Sequence, residues 1–294
     1  MRLLKMPLAA IGQLRSTDSL LDNLEKCKAL VRKASEAGAA ALFLPEATDY
    51  IASNAADTIS LAQPVTSSPF VLGLQAEAKK YNLPISVGIH EPTTDGTRVK
   101  NTLIWISASG HLTHRYQKLH LFNIQLPNNG PMQRESDRVE PGDTLSDPYP
   151  TPVGKVGPMI CFDLRFVEQA LALRHRGAQV LLYPSAFTVP TGRAHWEVLL
   201  RARAVEAQAY VIAAAQVGWH DEAKKRRSYG HGMIVDPWGK VVARLGGVGE
   251  DGSEDGLGEG EGEIAVADID LELVEKVRRE MPLLRRTDVY PEIA

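Results

Sequence analysis

Cys161 lies in Gly157-Pro158-Met159-Ile160-Cys161-Phe162-Asp163-Leu164-Arg165, an apolar run that breaks into polar residues ahead of a helical pattern from Phe166. A side chain at such a strand-to-helix elbow is presented at the rim of a sheet, with backbone N–H groups behind it. Two other strand-end segments supply a carboxylate and an ammonium: Ala41-Leu42-Phe43-Leu44-Pro45-Glu46 and Arg115-Tyr116-Gln117-Lys118-Leu119-His120. A thiol, a base and a fixed cation suffice for acyl transfer through a thioester. A thiol near its ordinary pKa of about 8.5 is mostly protonated at neutral pH, so Glu46 is expected to take its proton and later to activate water. Lys118 is expected to stabilise the developing oxyanion, with the N–H of Phe162 as the second donor. Arg165 suits a bidentate contact with a substrate carboxylate, an ion pair with Asp163 or a helix-start acid being the alternative. The second cysteine, Cys27, falls on the apolar face of a helical pattern and reads as core.

These groups need a scaffold with several strand ends at one edge. Over residues 18–37 the side chains Leu20, Leu24, Cys27, Leu30, Val31 and Ala34 share a helical face, and Gly38 follows as the stop. Pro69 opens a second helix with Phe70, Val71, Leu74, Ala78 and Tyr81 inward. Strands are expected from Met6 to Gln13, Ala41 to Leu44, Ile85 to Ile89, Leu103 to Ile106 and Leu112 to Tyr116. After a loop-rich region from Pro127 to Pro152 the alternation resumes. Strands are expected at Val156–Cys161, Val180–Tyr183 and Val211–Ala215, with helices at Phe166–Arg176 and Ala194–Gln208 between them. Two strands flank the turn Asp236-Pro237-Trp238-Gly239; a last strand (Ile264–Ala267) and helix (Leu271–Glu280) close the chain. This pattern reads as one α/β domain over residues 1–294: two sheets face to face with helices outside. Gly246 to Gly262, rich in Gly, Glu and Asp, is expected to be a mobile surface loop.

Composition removes other classes. The net charge of the 294 residues is −3, so no global field favours nucleic acid or anionic membranes. No apolar stretch approaches the roughly 20 residues of a membrane helix. Two cysteines offer no disulfide framework and point to a reducing cytosol. Residues 1–17 lack acids and carry Arg2, Lys5 and Arg15, as mitochondrial leaders do, but Met6 to Gln13 reads better as a strand, so no cleaved signal is expected. Gly247-Val248-Gly249-Glu250-Asp251-Gly252 matches a dinucleotide fingerprint only formally, because its acids would repel a pyrophosphate. His111, His114 and His120 lack zinc-enzyme spacing, so no metal is expected. Lys224-Lys225-Arg226-Arg227 is either a solvated loop or an attractor for a substrate carboxylate.

The segments around Glu46, Lys118 and Cys161, in that order, resemble the nitrilase superfamily and its Glu-Lys-Cys triad, from about Ala9 to Tyr290. The resemblance implies a four-layer α-β-β-α sandwich that forms a homodimer and cleaves carbon–nitrogen bonds with no cofactor. It implies a second site glutamate at Glu135, orienting Lys118 or the amine, and places Phe187 and Thr191 at the border of the pocket. Pro184-Ser185-Ala186-Phe187 and Ser228-Tyr229-Gly230-His231-Gly232 look like the Nit-type amidases. Asn129-Gly130-Pro131-Met132 and Ala213-Ala214-Ala215-Gln216-Val217-Gly218 look closer to the deaminated glutathione amidase branch than to the ω-amidase branch. The implied partner is a small keto-acid amide, deaminated glutathione, cleaved to 2-oxoglutarate and Cys-Gly as metabolite repair. The alternatives are an ω-amidase acting on 2-oxoglutaramate and a non-catalytic interaction protein on the same sandwich. The expected compartment is the cytoplasm, with a mitochondrial pool as an addition.

Overall fold

The computed structural model describes residues 6–125, 132–253 and 262–290. Along the chain run β1 (Leu8–Gln13), α1 (Leu20–Glu36), β2 (Ala41–Phe43), α2 (Ala55–Leu61), α3 (Pro69–Tyr81), β3 (Ile85–Pro92), β4 (Val99–Ile106) and β5 (Leu112–Gln117). The short β6 (Asn123–Gln125), β7 (Met132–Arg134), β8 (Val139–Glu140) and β9 (Tyr149–Thr151) precede β10 (Gly154–Pro158), α4 (Val167–His175), β11 (Val180–Leu182), α5 (Val189–Ala207) and β12 (Tyr210–Ala213). The last elements are β13 (Val217–Trp219), β14 (Arg227–Tyr229), β15 (Met233–Val235), β16 (Val241–Arg244), β17 (Glu263–Asp268) and α6 (Leu271–Glu280).

Two mixed sheets face each other. One has the order β17-β1-β2-β3-β4-β5 with β8 beside β4, the other β16-β15-β12-β11-β10-β9. The alternation of side chains along the strands sorts the core into layers. Ala9, Ile11, Ala41, Phe43, Leu103 and Trp105 point between the sheets and share a cluster with Val156, Leu181 and Val211. Their neighbours Ala10, Leu42, Ile104 and Ile106 point the other way, onto Leu24, Leu30 and Val31 of α1 and Phe70 and Leu74 of α3. On the outer face of the second sheet, Leu173 of α4 and Trp196 and Leu200 of α5 complete the opposite layer. This is the α-β-β-α arrangement.

The helices begin where capping chemistry directs. Ser19 accepts from the N–H of Asp22 and Ser68 from that of Val71, with Pro69 in the first turn of α3. The structure departs from the sequence pattern in four places. The helix expected from Phe166 is preceded by a 3₁₀ turn, Cys161–Arg165, because the Asp163 carboxylate caps the N–H of Ile160 at 2.9 Å. The helix expected from Ala194 starts at Val189, with Pro190 in its first turn. Residues 132–151, expected as loop, contribute three short strands and a 3₁₀ turn, Glu135–Asp137. Residues 246–253 are not a free surface loop: Val248 is buried and Gly247 bridges Gly230, while 254–261 lie outside the described residues. The motif Asn129-Gly130-Pro131 also lies outside them. Among the described residues no helix is long and apolar enough to cross a membrane.

Candidate active site

Glu46 follows β2, Lys118 follows β5, and Cys161 follows β10, so both sheets deliver their strand ends to one cavity of about 730 Å³. Backbone strain and close approach fix each position. Cys161 has φ 47° and Ala47, next to Glu46, has φ 52°, both in the left-handed region that residues with a Cβ rarely adopt. The Cys161 N–H is anchored on Pro184 O at 3.0 Å. Gly88 of β3 lets the Glu46 loop lie against it: a Cβ there would meet Glu46 Cα at 2.6 Å. Its N–H donates to Pro45 O at 2.9 Å, and Thr48 N–H donates back to Gly88 O at 2.8 Å. Gly142 does the same for Lys118, donating to its carbonyl at 2.8 Å.

Lys118 Nζ donates to Glu46 Oε1 at 2.8 Å and to Glu135 Oε1 and Oε2 at 3.0 and 2.9 Å. Asn101 Nδ2 ties the two carboxylates together, donating to Glu46 Oε1 at 2.8 Å and to Glu135 Oε1 at 3.3 Å. Ala186 N–H donates to Glu46 Oε2 at 2.9 Å, and Phe122 N–H to Glu135 Oε2 at 2.6 Å. Gln216 Nε2 donates to the Glu46 carbonyl at 3.1 Å, holding the backbone beneath the base. The Cys161 thiol neighbours Glu46 closely enough for that carboxylate to act on it.

Burial would lower the Lys118 ammonium, but Glu135 and Glu46 outweigh it, and Lys118 titrates above its ordinary range. Burial likewise works against the Glu135 carboxylate, and Lys118 reverses the balance and holds it below its ordinary range. Burial pushes the Cys161 thiol well up and the charge of Glu46 adds to it, against a weaker pull from Lys118. The resting nucleophile is therefore a thiol beside its base, not a stored thiolate.

The elbow has its own support. Asp163, fully buried, accepts from Tyr116 Oη at 2.6 Å and from His120 N–H at 3.0 Å besides Ile160 N–H. It is therefore not the partner of Arg165. Arg165 instead donates to His195 Nδ1 at 2.9 Å, with its guanidinium carbon 5.9 Å from the centroid of the Phe187 ring. The N–H of Phe162 meets no hydrogen-bond acceptor among the described residues and stands in the first turn of the 3₁₀ segment, where such donors are unspent.

All eight residues singled out from the sequence, Glu46, Lys118, Glu135, Cys161, Phe162, Arg165, Phe187 and Thr191, line this cavity. The sequence reading missed Asn101, Gln216, the Ala186 N–H and Arg138. Asn101 left a signal, being a buried polar residue within a strand whose other buried members are largely apolar. Gln216 and Ala186 stood out only as members of segments resembling the family, because their contacts with Glu46 span 170 and 140 residues and leave no local pattern. Among the described residues no group of three or more His, Cys, Asp and Glu side chains is arranged to hold a metal ion.

Comparison with known proteins gives the same architecture a lineage. Residues 8–279 match the carbon–nitrogen hydrolase family. The chain is 46% identical over 289 residues to the probable hydrolase nit2 of Schizosaccharomyces pombe, spanning 98% of this chain and 100% of that one. It is 43% identical over 293 residues to the deaminated glutathione amidase of Mus musculus, spanning 97% of this chain and 85% of the relative. Among solved structures, Saccharomyces cerevisiae Nit3, a member of branch 10 of the nitrilase superfamily, superposes with a TM-score of 0.79 at 28% identity over 96% of each chain. The Caenorhabditis elegans NitFhit protein reaches a TM-score of 0.87 at 39% identity, covering 97% of this chain and 66% of that one. The chain belongs to the carbon–nitrogen hydrolase family of the nitrilase superfamily, and it is a hydrolase of carbon–nitrogen amide bonds.

Proposed function

We propose that the chain hydrolyses deaminated glutathione to 2-oxoglutarate and Cys-Gly through a thioester on Cys161. The observation that carries this reading is a buried thiol beside Glu46, whose carboxylate is held by Lys118, in a cavity that also holds Arg165. Glu46 takes the thiol proton as sulfur attacks the carbonyl carbon of the 2-oxoglutaryl group. The oxyanion is met by Lys118 and the Phe162 N–H. As the carbon–nitrogen bond breaks, Glu46 returns the proton to the departing amine of Cys-Gly. Water, deprotonated by Glu46, then cleaves the thioester and restores the thiol. Glu135 keeps Lys118 in place and faces the leaving amine rather than moving the main proton.

Arg165 takes the keto-acid carboxylate in a bidentate contact, with Phe187 and Thr191 as the wall beside it. Names borne by relatives, among them the deaminated glutathione amidase of Mus musculus, support this substrate over others of the family. The same reading places a homodimer in the reducing cytoplasm. Two unpaired cysteines suit that compartment, and exposed Val198, Val205 and Trp238 offer apolar area to a second copy.

Rapid-quench mass spectrometry with deaminated glutathione tests the chemistry. A transient mass gain on the Cys161 peptide equal to a 2-oxoglutaryl group is the expected result. Faster turnover of 2-oxoglutaramate than of deaminated glutathione, compared as kcat/KM, would transfer the assignment to an ω-amidase.

A further inference from the structure

The cavity is lined by more cations than the chemistry at Cys161 uses. Several are already occupied. Arg193 and Arg227 donate to backbone carbonyls of residues 249–252, and Arg134 to Met132 Sδ at 3.1 Å. Arg165 is held by His195 on the second-sheet side of the thiol. Arg226 and Arg138 differ. Both are half-buried in the cavity wall, and neither guanidinium has a hydrogen-bond partner among the described residues. The two line one small recess beside Glu46 and Glu135, where burial works against the charge of Arg226 and the charge of Arg138 adds to it. Two like charges side by side in a partly dry wall are unfavourable unless an anion joins them.

Glu46 and Glu135 attract Arg226 through space but hydrogen-bond to neither guanidinium, since their oxygens are taken by Lys118, Asn101 and backbone N–H groups. The pair shares a recess of the cavity wall with Glu46 and Glu135, and Arg138 directly follows the 3₁₀ turn that carries Glu135. Cations from separate parts of the chain therefore line the cavity that holds the nucleophile.

Resting on the substrate proposed above, we propose that Arg226 and Arg138 form an anion subsite for the terminal carboxylate of the leaving group. An extended dipeptide places that carboxylate about 7 Å from the scissile nitrogen. The two poles then read a doubly anionic substrate: Arg165 holds the acyl end and the Arg226–Arg138 pair holds the departing end. A short amide such as 2-oxoglutaramate reaches only the first pole.

The test separates the subsite from turnover. Cys161→Ala protein is titrated calorimetrically with deaminated glutathione and with the same molecule carrying a C-terminal amide in place of its carboxylate. The acid is expected to bind about tenfold to a hundredfold more tightly, the scale of a hydrogen-bonded charge. Adding Arg226→Gln should level the two affinities, while Arg226→Lys keeps part of the difference. In otherwise native enzyme, Arg226→Gln should raise KM for deaminated glutathione about tenfold or more beyond any change in KM for 2-oxoglutaramate. Equal affinity for acid and amide overturns the subsite, as does an equal loss on both substrates, which would make Arg226 a support for the carboxylates. Whether native enzyme turns over deaminated glutathione is read independently and bears on the substrate alone.

Discussion

At the floor of the cavity the side chains of Lys118, Glu46 and Glu135 are 2%, 6% and 10% exposed, and each charge is bonded to another or to a backbone N–H. At its mouth Lys225 projects into solvent from a loop held mainly by backbone bonds to Asp221. The two regions carry the same kinds of group under different dielectric conditions. Buried charges that are fully bonded cannot relax, so they act on the barrier and on folding. Exposed charges act at a distance, through attraction that salt screens.

The largest effect should come from the nucleophile. Cys161→Ala is expected to lower kcat by at least about 10⁴-fold with little change in Tm, as assayed by steady-state turnover and thermal unfolding. Cys27→Ala is the matched control: Cys27 is fully buried in the apolar layer between α1, α3 and the first sheet and does not line the cavity, so it should cost stability and leave kcat alone. Lys118→Met comes next. It removes an oxyanion donor, worth about 10²–10³ in kcat, and leaves two carboxylates facing each other, destabilising the fold by roughly 3–5 kcal/mol. A variant that kept native kcat would show that the floor does not work through Lys118.

Glu135 gives the comparison a pH axis. Its carboxyl is held below the ordinary range, so its contribution to stability is complete above the unfolded glutamate pKa of about 4.3 and disappears as pH falls through the lower folded value. Glu135→Gln should cost about 3 kcal/mol at pH 7, and the Tm gap to native protein should narrow as pH is taken from 5 downward. A constant gap would mean that packing, not charge, is what the substitution removes. Gly88→Ala is smaller. The new methyl would meet the Glu46 backbone and shift the base, lowering kcat by about tenfold with KM nearly unchanged.

How much of this was legible in the sequence follows the same division. Local signals carried the layers: the helical spacing of Leu24, Cys27 and Leu30 records which face is buried, and the apolar runs in β1 and β4 record strands covered on both faces. The strand-end positions of Glu46, Lys118 and Cys161 were legible for the same reason, since an apolar run that stops marks an edge. Glu135 was not, because it sits on a 3₁₀ turn in a Pro- and Gly-rich region where no period exists to be read; only resemblance pointed to it. The start of α5 was misplaced because Val189-Pro190-Thr191-Gly192 reads as a turn. Gly192 is tolerated there because it packs directly on Tyr229, where a Cβ would come within 2.3 Å. The packed state of residues 246–253 was hidden by composition: Gly, Glu and Asp favour solvent, yet Arg193 and Arg227 hold the carbonyls of this segment from across the fold.

The mouth supplies the weakest and most specific break. Lys225→Gln removes one exposed charge that lines the cavity entrance without touching the bonded floor. In a low-salt buffer KM should rise about twofold with kcat unchanged, because steering by a single exposed charge is worth a few tenths of a kcal/mol. Raising ionic strength toward 1 M shortens the screening length to about 3 Å, and native and variant KM should then converge. Lys118→Met run in the same salt series should keep its full defect, because solvent ions cannot reach a side chain 2% exposed. Convergence of both variants would mean the floor is wetter than its packing, and persistence of both would mean that Lys225 contacts the substrate directly.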